Sequence, residues 1–187
     1  MGEVKIDRRV KYTKALLKDA LVELMGREHV SAISVKSLCE RADVNRSTFY
    51  AHYASPHDLL AGIVDEVLHN LKQNLMKHDF YQVKPLSSQI LAQILEYIRE
   101  NSSLFNALLS ENCDFHFQKD ILELAQIIST QVFQSQNARI IGYLDEYAIN
   151  GCISVIKKWL QGGAVETPSE LAEFMVQVMY QGMNSLQ

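Results

Sequence analysis

The chain has 187 residues, 48% of them hydrophobic and 21% charged, with only three prolines and eight glycines. That suffices for one sizeable domain, or for a small and a medium one, and it excludes low-complexity disorder. The net charge of −4 is unevenly spread: residues 1–53 carry +3 and residues 54–187 carry −7, so only the basic head suits a polyanion.

No apolar run reaches the roughly 18 residues that span a bilayer, and "MGEVKIDRRVKYTK" lacks the apolar centre of a signal peptide. A cytoplasmic protein is expected. Cys39, Cys113 and Cys152 are odd in number and far apart. That argues for buried, reduced thiols rather than a disulfide framework.

From Tyr12 to Arg27, Leu16, Leu17, Ala20, Leu21 and Leu24 fall on one helical stripe, with Thr13 near the start as a cap. "HVSAI" at 29–33 breaks the period. Ser34 then sits where an N-cap belongs, and Val35, Leu38 and Ala42 follow at helical spacing. "DVN" makes a turn, and Asn45 is placed to cap a second short helix over 46–53. Ser55, Pro56 and Asp58 form the cap, first position and third position of a long helix running to about residue 77. "DFYQVKP" at 79–85 reads as a loop. Ile90, Leu91, Ile94, Leu95 and Ile98 mark the next helix, and "ENSS" at 100–103 opens a short one through Leu109. A helix is expected over about 117–134, another over 139–161 ending at Gly162-Gly163, and a last one opened by Thr167, Pro168 and Glu170. The expectation is an all-α chain of nine helices without strands, with a head over 1–55 and a helical body over 56–187.

Two short helices joined by a tight turn, with Val44 packing into the angle between them, make a helix-turn-helix. The second helix of that motif lies in the major groove of DNA. Phe49 and Tyr53, four apart, can anchor the helix to a core and leave the opposite face free. Arg46, Ser47, Thr48 and Tyr50 fall near the N-terminal end, where base edges are met. Arg46 suits guanine or phosphate, and Thr48 a thymine methyl or a phosphate oxygen. Tyr50, His52 and Tyr53 carry donors for backbone oxygens. Lys5, Arg8, Arg9 and Lys11 form a basic arm. With Thr13, Ser34 and Lys36, and with Asn45 at the turn, the arm completes the expected DNA-contacting set.

Residues from about 9 to 65 resemble the DNA-binding domain of TetR-type (TetR/AcrR) bacterial transcriptional regulators. The resemblance rests on "YTKALLKDALVEL", "ISVKSLCERADVNRSTFYAHY" and "SPHDLL". Two departures stand out: Asp43 replaces a common Gly at the turn, and Pro56 replaces a common Lys near the DNA backbone. The resemblance implies a homodimer, usually a repressor, whose C-terminal helices hold a small-molecule pocket and the dimer interface. It implies further that the effector changes the separation of the two DNA-reading heads.

The end of the chain, "YAINGCISVIKKWLQGGAVETPSELAEFMVQVM", also resembles the closing helices of one branch of this family. Ala148, Gly151 and Ser154 recur every three residues. Gly151, Ile153, Ile156, Trp159, Leu160, Met175 and Met179 are the expected interface residues, with intramolecular core as the rival reading. Tyr97, Phe105, Phe115, Phe117, Tyr143 and Tyr147 are candidates for a ligand pocket, again with plain core as the rival. Cys113 and His116 have a compatible spacing for a metal but supply only two ligands, so no metal or cofactor is expected. No Gly-rich phosphate loop, nucleophile elbow or paired-His motif points to an enzyme. The runner-up is a helix-turn-helix DNA-binding protein without a small-molecule ligand, serving an architectural or partner-recruiting role. A helical adaptor that ignores DNA comes third.

Overall fold

The computed structural model describes residues 8–76, 88–113 and 138–184, and every regular element among them is helical. The elements are α1 (Arg8–Met25), a 3-10 turn (Val30–Ala32), α2 (Val35–Ala42), α3 (Arg46–Tyr50), α4 (Pro56–Met76), α5 (Ser88–Glu100), α6 (Ser102–Leu108), α7 (Ala138–Gln161) and α8 (Pro168–Asn184). The expected all-α class is what the chain adopts. The helix anticipated over 117–134 and the loop at 79–85 lie outside the described residues. Among those described, no helix is long and apolar enough to cross a membrane.

The described residues divide into two compact units, one of 8–67 with 107–113, the other of 68–76, 88–106 and 138–184. In the first, Leu17 and Leu21 of α1, Leu38 of α2 and Phe49 of α3 are completely shielded from solvent. Leu59 and Leu60 of α4 are nearly so. Each such side chain contributes about 1.5–3 kcal/mol through burial, which fixes the short helices α2 and α3 that propensity alone would not hold.

The caps explain the element boundaries. Ser34 Oγ accepts the Ser37 N–H at 3.0 Å, and the Ser37 hydroxyl takes the Ser34 N–H at 3.2 Å, a reciprocal box that starts α2. The helix stops at Asp43, whose backbone is left-handed (φ 53°, ψ 44°). There the N–H groups of both Asp43 and Val44 donate to the Cys39 carbonyl. Asp tolerates this conformation through its short polar side chain, whereas Ala does not. Asp43→Ala is therefore expected to lower the head unit's stability by about 1 kcal/mol relative to Asp43→Gly, read from paired denaturant titrations. At α4, Ser55 Oγ accepts the Asp58 N–H at 3.2 Å and the Asp58 carboxylate accepts the Ala54 N–H at 2.8 Å. Pro56 occupies the first helical position, where no N–H is missed.

Across the head, the Glu23 carboxylate of α1 accepts from Arg41 of α2 and from Arg27 at 3.1 Å. The Arg41 hydrogen bond, with the charges of Arg41 and Arg27, holds the Glu23 carboxyl below its ordinary range. A carboxyl depressed in the folded state adds stability above its unfolded pKa and loses it as pH falls through the folded value. Thermal melts should therefore show Glu23→Gln destabilised relative to the parent at neutral pH, with the difference vanishing in acid.

The segment 107–113 closes the unit. The Asn112 amide donates to the Met25 carbonyl at 2.8 Å, and the Val30 N–H donates to the Asn112 carbonyl at 3.0 Å. The first of these satisfies one of the carbonyls that a helix leaves open at its C-terminus.

In the second unit α5 packs along α8. Leu95 of α5 and Ala172 of α8 are fully buried. Trp159 of α7 donates its indole N–H to the Glu166 carbonyl at 3.0 Å, tying the helix to the loop that follows it. That loop turns at Gly163 (φ +86°) and Ala164 (φ 51°). Thr167 and Glu170 form the expected capping box of α8. Glu170 accepts the Thr167 N–H at 2.8 Å and its hydroxyl at 2.7 Å, which lowers the Glu170 carboxyl, and Thr167 Oγ1 accepts the Glu170 N–H at 3.2 Å.

Candidate nucleic-acid interface

The helix α3 is one and a half turns long and has two unlike faces. Phe49 is wholly buried, its ring 5.5 Å edge-on from Tyr50 and 6.0 Å from Tyr53. Arg46 and Ser47 are exposed, and Tyr50 is 59% exposed. Thr48 is half-buried, as are His52 and Tyr53 just beyond the helix. A buried apolar anchor thus carries a guanidinium, a hydroxyl and a phenol outward along one short helix. Asn45 stands at the N-cap position but makes no side-chain cap bond, and its amide is exposed.

The helix ends at Tyr50, three residues short of the expected 46–53. The His52 and Tyr53 N–H groups both donate to the Phe49 carbonyl, so the chain tightens into a turn. α1, in contrast, begins four residues earlier than its apolar stripe. Arg8 and Arg9 are exposed on its first turn, and Thr13 lies in the second turn, too deep to cap it. Lys36 is exposed on α2, 3.9 Å from Glu40, while the Ser34 hydroxyl serves the cap. Lys5 lies outside the described residues. The Cys39 thiol is buried behind the turn, and that burial pushes its pKa up against the smaller opposing effect of Arg46. A raised, shielded thiol is a packing group rather than a nucleophile.

One neighbour of this face was not legible in the sequence. Lys14 of α1 places its ammonium 5.7 Å from the centre of the Tyr53 ring, and the two residues are brought together only by the fold.

The C-terminal candidates separate into distinct environments. Phe105 is buried, and its ring meets Tyr97 edge-on at 5.9 Å. The Tyr97 hydroxyl accepts from the Asn70 amide at 3.3 Å. Tyr143 and Tyr147 are on the surface, 70% and 80% exposed. Phe115 and Phe117 lie outside the described residues, as does His116, the candidate partner of Cys113. Of the expected interface set, Trp159, Leu160 and Met175 are buried within the unit. Ile153, Ile156 and Met179 are half-buried and Gly151 is exposed, with open space where a Cβ would stand. Tyr143, Tyr147, Gly151, Phe174 and Val178 line an open, mainly apolar groove of about 1040 Å³ between α7 and α8.

A helix-turn-helix on a helical body is the build of a DNA-binding transcriptional regulator, and comparison with known proteins makes the assignment specific. Residues 87–181, just over half of the chain, match the family model TetR_C_8, "Transcriptional regulator C-terminal region". The chain belongs to the TetR family of transcriptional regulators, which are not enzymes. It is 20% identical over 167 residues to the uncharacterized HTH-type transcriptional regulator YxbF of Bacillus subtilis (strain 168). That match covers 86% of this chain and 43% of that protein, so the chain spans less than half the relative's length. Its fold is shared with a TetR transcriptional regulator from Streptococcus agalactiae 2603V: TM-score 0.63 at 23% identity, over 92% of this chain and 96% of that one. It is also shared with Thermus thermophilus FadR, a TetR-family transcriptional repressor in complex with lauroyl-CoA: TM-score 0.59 at 14% identity, over 91% and 94%.

Proposed function

We propose that the protein is a ligand-released repressor: two copies bind a near-palindromic operator and let go when a small molecule enters the C-terminal helices. In this reading the head is residues 1–55 and the effector-binding, dimerising body is residues 56–187. Arg46, Ser47, Thr48 and Tyr50 read the major groove. Arg8, Arg9, Thr13, Ser34, Lys36, Asn45 and His52 set position and affinity on the backbone, with Tyr53 supporting them at the end of α3. The single observation that carries the proposal is the division of α3 into a fully buried Phe49 and an exposed Arg46, Ser47 and Tyr50. Such a helix is anchored on one side and can lie in a groove on the other.

Dimerisation is supported by the α7–α8 groove, where Tyr147, Phe174 and Val178 are each more than half exposed. Apolar surface of this kind on adjoining helices suits a four-helix contact with a second copy. Pairing would set the two α3 helices about 34–36 Å apart or somewhat farther, one helical turn of DNA. Of the described pocket candidates, Tyr97 and Phe105 pack together in the second unit while Tyr143 and Tyr147 line the α7–α8 groove, and Thermus thermophilus FadR, which holds lauroyl-CoA, puts acyl-CoA thioesters first among effectors to try.

Selection of bound duplexes from random DNA tests the reading. Near-palindromic sites should be enriched, and a metabolite pool that includes long-chain acyl-CoAs should release them. A pool with no sequence enriched over the starting library would overturn operator recognition. Enrichment that no metabolite reverses would favour the ligand-free alternative.

A further inference from the structure

We propose that Lys14 is a DNA-phosphate contact of the head, held in place by the ring of Tyr53, and that Tyr53 serves binding through this ring rather than through its hydroxyl. The inference rests on the reading of the α3 face as the DNA-binding face.

The charges of the head support the choice of Lys14. Lys18 lies 3.7 Å from Glu66, Lys36 lies 3.9 Å from Glu40, and Arg27 and Arg41 share Glu23. Each of these cations is partly cancelled by a carboxylate. Lys14 is exposed and has no carboxylate within ion-pair distance among the described residues. What it has instead is the Tyr53 ring, 5.7 Å away. A π face attracts an ammonium without neutralising it, so the charge stays available to an incoming phosphate. The ring also limits the rotamers of a long, mobile side chain, which reduces the entropy lost on binding.

Tyr53 is suited to be that platform. Its ring is half-buried, packs 6.0 Å from Phe49, and lies against α4, where a Cβ on Gly62 would meet Tyr53 Cε1 at 3.7 Å. The ring therefore moves with the anchor of α3. Burial raises the phenol pKa, and the negative charges of Glu66 and Asp58, which act on its hydroxyl end, raise it further. The carboxylates that disfavour a phenolate there disfavour a phosphate too. When α3 occupies a groove, phosphates flank its ends. Lys14, beside the C-terminal end of α3, is on that flank.

The test is a salt titration of duplex binding by the full chain, with a mixed-sequence duplex and a duplex selected by the parent protein. Lys14→Met should reduce the slope of log affinity against log salt by about 1 for each head bound. It should weaken binding about eightfold per head near 0.1 M salt, equally for both duplexes. Tyr53→Phe should match the parent, Tyr53→Leu should reproduce Lys14→Met, and the double variant Lys14→Met/Tyr53→Leu should lose no more than either alone. An unchanged slope in Lys14→Met overturns the proposal, as does a Tyr53→Phe loss equal to that of Tyr53→Leu. Lys14→Met changes an exposed side chain, so its result stands even if Tyr53→Leu fails to fold. Arg46→Ala and Tyr50→Ala run alongside separate the two levels. If they weaken binding and Lys14→Met does not, only the Lys14 assignment fails. If none of the three alters binding, the DNA face itself is misassigned.

Discussion

Phe49→Ala is expected to lower the stability of the head unit by about 3–5 kcal/mol, the usual range for emptying a buried aromatic site. The ring is completely buried at the junction of α3 with its neighbours and packs against Tyr50 and Tyr53. Removing it costs the transfer free energy of the ring and leaves a cavity that two short helices cannot close without moving. For a unit of this size the melting temperature should fall by about 12 °C or more. Differential scanning calorimetry checks this directly. Duplex binding should disappear with the fold of α3. A change of only a degree or two would mean that Phe49 does not anchor the helix.

The second large effect is on affinity and should leave the fold alone. Arg46→Ala and Tyr50→Ala remove exposed groups; Arg46→Ala is the cleaner of the two, since the Tyr50 ring also meets Phe49 edge-on. Each should cost about 1–3 kcal/mol per head, or roughly 5- to 150-fold, measured by fluorescence anisotropy on a selected duplex with far-UV circular dichroism unchanged. Arg46→Ala should also relax the base preference at one position of the site, which a phosphate contact would not do. Thr48→Ala is a less clean probe, because Thr48 is half-buried and its loss mixes packing with recognition. Equal affinity in Arg46→Ala and Tyr50→Ala would move recognition to another face.

Much of the architecture follows from short-range rules. The starts of α2, α4 and α8 are set by side chains within four residues of the cap, at Ser34, Ser55 and Thr167, so local sequence suffices to place them. The turn between α2 and α3 is legible for the same reason, and Asp43 takes the left-handed conformation that the family's more usual Gly would adopt. The length of α3 is less so. A stripe through Phe49 and Tyr53 fits a helix to residue 53, but Tyr53 reaches the core from a tight turn. Periodicity sees the anchor residues and not the backbone between them. The early start of α1 is missed because Arg8–Tyr12 carries no apolar stripe. Contacts between distant residues leave no trace in any window: Asn112 on the Met25 carbonyl and Lys14 on Tyr53 arise from the fold. The C-terminal helices are ambiguous for a different reason. α7 is apolar on more than one side, so sequence alone does not distinguish the side that buries Trp159 and Leu160 from the side that exposes Tyr143 and Tyr147.

Amide hydrogen exchange of the full chain, with and without a selected duplex, bears most directly on the claim that α3 enters the groove. Protection on adding DNA should concentrate over Asn45–Tyr53 and the first turn of α1. Protection that spares Asn45–Tyr53 while appearing elsewhere on the head would contradict it.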